Sequence, residues 1–208
     1  MVKMKFLIAL VLLCITSSMY SQDSLSVKLT ADIVNRYVFR GQNCGGESAH
    51  IQPSLNIGFK NVEVGIWGSE GISNNYNEID LYAKYNFKKI AIQYIHYATV
   101  NDGEIILYYK PFNKIPLLIS SATYVYGPSD YSNYSEIAYS IQVYNLPIDL
   151  FVGATPYCGV YNQFQHKFNI VNIGGTIRKD ILALPTYITL SGNPQSKEVF
   201  LVFGLTIK

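Results

Sequence analysis

The residue types able to do acid–base or nucleophilic chemistry in this chain are few and scattered. His50, His96 and His166 are the three histidines. Their spacing forms no metal-binding pair, and the cysteines do not join them, so no metal site is expected. His50 with Ser54 and Glu78 comes nearest to a Ser–His–acid arrangement, in which the imidazole would take the serine proton. Both His50 and Ser54 would lie on the face of a strand pointing into a lumen, whereas a lipid-cleaving site needs access from the lipid side. Gly174-Gly175 falls inside a strand and is not a phosphate-cradling loop. The expectation is therefore a protein that is not an enzyme and carries no cofactor.

Fixed charges are the more informative set. Asp32, Arg36 and Arg40 recur every fourth residue, so in a strand they share a face at intervals of roughly 13 Å. Trp67, then Glu78 and Asp80, fall on the same face of following strands, and Glu136 on a later one. The forked guanidinium of Arg holds carboxylates well. Asp32, Arg36, Arg40, Trp67, Glu78, Asp80 and Glu136 are thus lumen candidates, and Arg36, Arg40, Glu78, Asp80 and Glu136 could build a selectivity ring or constriction. The competing reading is that these charges pair to fill and stabilise a narrow lumen. Cys44 and Cys158 fall in loops predicted at one end of the molecule; in an oxidising compartment a bridge between them is one reading, and two unpaired thiols is the other.

What must position these residues is a set of strands. Leu25, Val27, Leu29, Ala31, Ile33, Tyr37 and Phe39 alternate with Ser26, Lys28, Thr30, Asp32, Arg36 and Arg40. This period of two, apolar on one face and polar on the other, is that of a strand. The same pattern recurs to the C-terminus, where Val199, Leu201, Phe203, Leu205 and Ile207 alternate. Twelve strands are predicted, at 25–40, 49–59, 62–69, 77–87, 90–98, 103–110, 116–126, 134–144, 148–155, 166–177, 185–191 and 198–207. Pro53, which cannot donate to a ladder, predicts a bulge in the second.

The connections alternate too. One set is short (Lys60-Asn61 and Lys88-Lys89 are examples), and the other is mostly longer and rich in Gly, Asn and Ser. Short turns at one end and longer loops at the other are the plan of a transmembrane barrel. The loops are short enough that no large inward-folded plug is expected. Residues 1–21 read as a cleaved signal peptide, with Lys3 and Lys5 before the apolar run Phe6 to Ile15. Val11-Leu12-Leu13 lack the small residue that a lipid-modified Cys14 would need. Residues 22–208 then form one domain with no charge excess, because the chain's 16 basic and 14 acidic residues become equal once Lys3 and Lys5 are gone. That balance argues against a nucleic-acid partner. Only 14% of residues are charged, and 18 are Tyr. A soluble surface wants ~25–35% charge, whereas aromatic girdles and a lipid-facing band suit this composition. Tyr94, Tyr97, Tyr108, Tyr109, Tyr124 and Tyr126 are expected in such girdles.

The segment Asp32-Ile33-Val34-Asn35-Arg36-Tyr37-Val38-Phe39-Arg40-Gly41 resembles the opening motif of the TorF-like porins, the Gcw_chp family. Ser48 to Leu55, Gly65 to Ser69 and Glu78 to Tyr82 resemble the family's next segments, and Asn193-Pro194-Gln195 with Val199 to Leu205 resembles the closing hairpin of Bacteroidetes-type members. The resemblance is strongest over residues 31–82. It implies an outer-membrane barrel of a Gram-negative bacterium and supplies no catalytic residues. The combined expectation is an all-β chain forming a single closed antiparallel transmembrane barrel of about twelve strands in the cell outer membrane. It would act as a porin in contact with outer-membrane lipid, passing small polar solutes through a charged lumen. The alternative is a closed-lumen barrel with a structural or partner-binding role through its outer loops.

Overall fold

The computed structural model describes residues 25–129, 131–156, 159–162 and 167–208. The expected signal peptide, residues 1–21, lies outside the described residues. Among the described residues fourteen strands occur, in chain order: β1 (Ser26–Val34), β2 (Val38–Phe39), β3 (Gln42–Asn43), β4 (His50–Phe59), β5 (Val62–Gly71), β6 (Asn77–Phe87), β7 (Ile90–Tyr97), β8 (Asp102–Tyr109), β9 (Leu117–Tyr126), β10 (Asn133–Val143), β11 (Leu146–Thr155), β12 (Asn169–Ile181), β13 (Leu184–Asn193) and β14 (Glu198–Ile207). Twelve of them pair with their neighbours in a closed antiparallel barrel, and β2 and β3 form a separate two-stranded sheet. The all-β closed barrel expected from the alternation is thus what the chain forms.

Tight turns set the register at one end. Lys60-Asn61, Lys88-Lys89, Tyr144-Asn145 and Leu182-Ala183 each separate directly paired residues, such as Phe59 and Val62, or Ile181 and Leu184. Tyr144, Asn145, Leu182 and Ala183 all have positive φ, between 47° and 64°. Positive φ at both central residues is the turn whose twist matches a hairpin. The expected bulge at Pro53 is not formed. Pairing runs from Ile51 with Glu70 to Ser54 with Trp67 without a shift, so Gln52 and Pro53 drop out of the β4–β5 ladder while its register continues. The bulges lie instead at Gly103/Glu104 and Gly153/Ala154.

The barrel is polar inside and apolar outside. Val27, Leu29, Ile57, Ile66, Leu81, Ile92, Leu107, Ile137, Leu150, Ile188 and Leu201 are exposed on the outer wall. His50, Gln52, Asp80, Glu104, Asn172, Ser191 and Asn193 are buried within. Outward-facing charges in the described strands are confined to strand ends, at Glu70 and Lys179. Of the six Tyr expected in girdles, half face outward as a girdle requires and half do not. Tyr94, Tyr109 and Tyr126 are exposed on the outside, but Tyr97, Tyr108 and Tyr124 turn into the lumen. Alternation decides this, because Tyr97 and Tyr108 sit in phase with the inward residues Gln93 and Glu104.

The first predicted strand, 25–40, is corrected. It ends at Val34, and the chain then turns inward. β1 pairs with β4 along its whole length but with β14 only from Ala31 to Val34. Asn35 completes the seam. Its backbone N–H donates to the Phe203 carbonyl (3.1 Å), its Nδ2 donates to the Leu201 carbonyl (3.2 Å), and its Oδ1 accepts from the Phe203 N–H (2.7 Å). The carboxamide thus supplies the ladder rung that β1 has stopped providing. Without it, backbone groups on an apolar outer wall would lack partners.

Candidate functional site

The segment leaving β1 folds into the lumen as a hairpin. The expectation was of no large inward-folded plug; a short hairpin nevertheless folds inward here. Val38 pairs with Asn43 and Phe39 with Gln42, which leaves Arg40 and Gly41 as the two turn residues. Their φ values are 49° and 76°, again positive at both central positions. Gly41 is required by contact as well as by dihedral, since a Cβ there would stand 2.0 Å from the Val171 carbonyl oxygen. A hairpin two pairs long is not stable alone, so contacts with the wall must hold it.

Those contacts converge on the tip. The Arg40 guanidinium grips Glu104 with both arms, Nη1 to Oε1 at 2.6 Å and Nη2 to Oε2 at 3.0 Å. Nη1 also donates to the Tyr161 hydroxyl. The Glu104 side chain is fully buried and that of Arg40 is 10% exposed. Tyr97 donates its hydroxyl to Glu104 Oε2 at 2.9 Å. Arg40 Cζ lies 4.5 Å from the Phe39 ring centre, 4.9 Å from Tyr134 and 5.5 Å from Tyr161. Tyr124 lies between Tyr97 and Tyr161, its ring tilted against both, and closes the cage. The backbone of the turn is tied as well: the Gly41 carbonyl accepts from Asn193 Nδ2 (3.0 Å), and Gln42 Nε2 donates to the Val160 carbonyl (2.8 Å).

A second cluster holds the base. Tyr37 is buried among the rings of His50, Trp67 and Tyr76, at centroid distances of 5.5–5.9 Å. His50 Nε2 faces the Gly45 carbonyl at 3.2 Å and Nδ1 faces Ser69 Oγ at 2.9 Å. A carbonyl only accepts, so Nε2 carries a proton. Asn74 Nδ2 donates to the same carbonyl at 2.7 Å. His50 is therefore a strut beneath the hairpin. The triad suggested by spacing does not assemble: Ser54 bonds Thr30 (2.8 Å), and Glu78 accepts from Tyr76 (2.6 Å). Among the described residues no group of His, Cys, Asp and Glu is placed to hold a metal.

The seven lumen candidates do not form one ring. Arg40 and Glu136 meet through Tyr134, whose ring lies under the guanidinium and whose hydroxyl donates to Glu136. Trp67 and Asp80 are cross-strand partners, with Glu78 two residues from Asp80. One buried Asp80 oxygen, Oδ1, has no partner among the described residues. Arg36 pairs with Glu47 at the exposed neck of the hairpin. Asp32 lies on the wall, accepting from the Tyr187 hydroxyl at 3.4 Å. The group that reading by strand phase missed is Glu104. Its signal was an acid placed directly before the apolar and aromatic run 105–109.

Cys44 sits at the foot of the hairpin, its thiol 3.8 Å from the Gln42 carbonyl. Burial, then the nearby Glu78 charge, pushes that thiol up to about 12. Cys158, its candidate disulfide partner, lies outside the described residues. Below the hairpin, toward the short turns, a cavity of about 180 Å³ remains, lined by Arg36, Gln52, Asn172, Tyr187 and Ser191 among others. Compared with known protein families, with curated proteins and with solved structures, the chain matches none.

Proposed function

We propose that the protein is an outer-membrane β-barrel that holds its lumen shut with segment 35–49 and passes small polar solutes only when that segment undocks. The membrane reading rests on the inverted polarity of the wall and on strand lengths. The barrel strands run from 8 to 13 residues, around the ~9–11 needed to cross a bilayer obliquely. The resemblance of the opening motif to the TorF-like porins agrees with it. The single observation that carries the gating reading is the buried Arg40–Glu104 pair between the hairpin tip and the wall. The hairpin is too short to hold its place without such docking, and the lumen beneath it is polar.

The alternative, a permanently closed barrel acting through its outer loops, shares this resting state. The two readings part when the pair is broken, because only a gated barrel then conducts. Planar-bilayer recording of the protein extracted from membranes in detergent is the test. Wild type is expected to stay closed, with rare brief openings. Steady large conductance in wild type would overturn the shut lumen. Silence in wild type and in every latch variant would favour the permanently closed barrel.

A further inference from the structure

The short-turn end of the lumen carries its charges unevenly. On the β11–β12 side Arg178 pairs with Asp149, which also accepts from Ser140. On the β6–β8 side Lys84, Lys88, Lys89 and Lys110 line one cavity of about 220 Å³, together with Asn86 and Tyr108. None of these four lysines forms an ion pair among the described residues. The acid nearest in register is Glu63, opposite Lys84, and its Oε1 accepts the Tyr82 hydroxyl at 3.0 Å.

Lys84 and Tyr108 form the held wall of this cavity, while Lys88, Lys89 and Lys110 are exposed at its rim, with the Lys88 ammonium 5.5 Å from the centre of the Phe87 ring. Lys84 points inward from β6 with its ammonium 4.9 Å from the centre of the Tyr108 ring, and Tyr108 is held by its hydroxyl bond to Gln93 at 3.1 Å. Lys88, at φ 51°, makes the tight turn. The Lys110 N–H donates to the Lys89 carbonyl at 2.8 Å, fixing those two lysines side by side. Lys89 Nζ is oriented by the Pro111 carbonyl at 2.8 Å. Gathering like charges in one concavity costs free energy that an anion of high charge density offsets, and such a field concentrates anions at the mouth. Ammonium groups serve phosphate oxygens as point charges.

We propose that this mouth is a binding site for soluble phosphate-bearing anions, with Lys84 on its wall and Lys110 at its rim. The proposal goes beyond the gating reading and does not need the lumen to open, because the cavity lies on the short-turn side of the hairpin. The test is calorimetric titration of the detergent-purified protein with inorganic pyrophosphate at low salt. The Lys84→Gln/Lys110→Gln variant is compared with Lys179→Gln, whose side chain lies on the outer wall of the same end. Each lost charge-assisted contact is expected to weaken binding roughly tenfold, so the double variant should fall by about a hundredfold and Lys179→Gln hardly at all. No pyrophosphate binding by wild type, or equal loss in both variants, would overturn the site. In a parallel arm, nanodiscs containing phosphatidylglycerol are compared with phosphatidylcholine. Lipid enrichment that depends on Lys84 and Lys110, without pyrophosphate binding, would also overturn it and make the rim a headgroup seat. Heat-dependent electrophoretic mobility confirms that each variant is folded. Because binding is read without conductance, its failure is separable from failure of the gating reading.

Discussion

Replacing Glu104 by Gln should open the barrel. The substitution keeps the shape of the side chain and removes its charge, leaving the Arg40 guanidinium docked among Phe39, Tyr134 and Tyr161 without its paired carboxylate. Because Glu104 is fully buried and Arg40 nearly so, solvent screens little of the interaction. Breaking such a pair by neutralising one partner costs about 3–5 kcal/mol. At about 1.4 kcal/mol per power of ten, the docked-to-undocked ratio of the hairpin should fall by roughly two to three and a half powers of ten. Open probability in planar bilayers should rise by the same factor, from rare events to frequent ones. The Arg40→Met/Glu104→Gln double variant sharpens the test. With both charges gone, the penalty of an unpaired ion disappears, so the double variant should open less often than Glu104→Gln alone. A folded Glu104→Gln protein that opens no more often than wild type would refute the latch. So would a double variant with the sum of the two single effects.

Three further outcomes test other parts of the structure. Asn35→Ala should lower resistance to urea unfolding in micelles by about 1–3 kcal/mol, because it strands the Leu201 carbonyl and the Phe203 N–H at the seam; Asn35→Asp, which keeps only the acceptor, should fall between. Ile188→Lys, on the outer wall, should destabilise the membrane-inserted barrel by about 2–4 kcal/mol, and Thr189→Lys, facing the lumen, by much less; equal effects would contradict the assigned faces. With Cys44 as the sole cysteine, its raised pKa of about 12 leaves thiolate scarce until pH climbs toward that value. Maleimide labelling at pH 8 should therefore run roughly a thousandfold slower than for an exposed cysteine, and Glu104→Gln should accelerate it by freeing the hairpin.

The arrangement explains why Arg40 tolerates a left-handed backbone at φ 49°. That conformation costs a β-carbon residue on the order of 1–2 kcal/mol. The turn it creates places the guanidinium where both arms reach Glu104, and the pair offsets the strain. Gly41 then brings its backbone against Val171, where no side chain fits. The two residues do different jobs in one turn: the first supplies the charge and the second the close approach.

Much of the barrel was legible because its code is local. Side chains alternate with a period of two whatever the partner strand, and a Lys-Asn or Lys-Lys pair between two apolar runs marks a turn by itself. Strand positions, the short-turn end and the inward phase of Asp80 and Glu136 came from that alone. The same locality explains the errors. Residues 36–40 keep alternating, because the inner hairpin is also β, so the break after Val34 left no trace in the period. Tyr97 and Tyr124 have the composition of girdle residues, and only their phase relative to the lumen turned them inward. Alternation also carries no information about which distant charge an inward residue meets. Arg40 and Glu104 are 64 residues apart. Their pairing exists because closing the sheet brings β8 across the lumen from the end of β1. Local order along the chain is enough to specify strands that are polar on one face and apolar on the other. The docking of the hairpin on the wall belongs to the closed barrel, because it is made of contacts that no single stretch of residues contains.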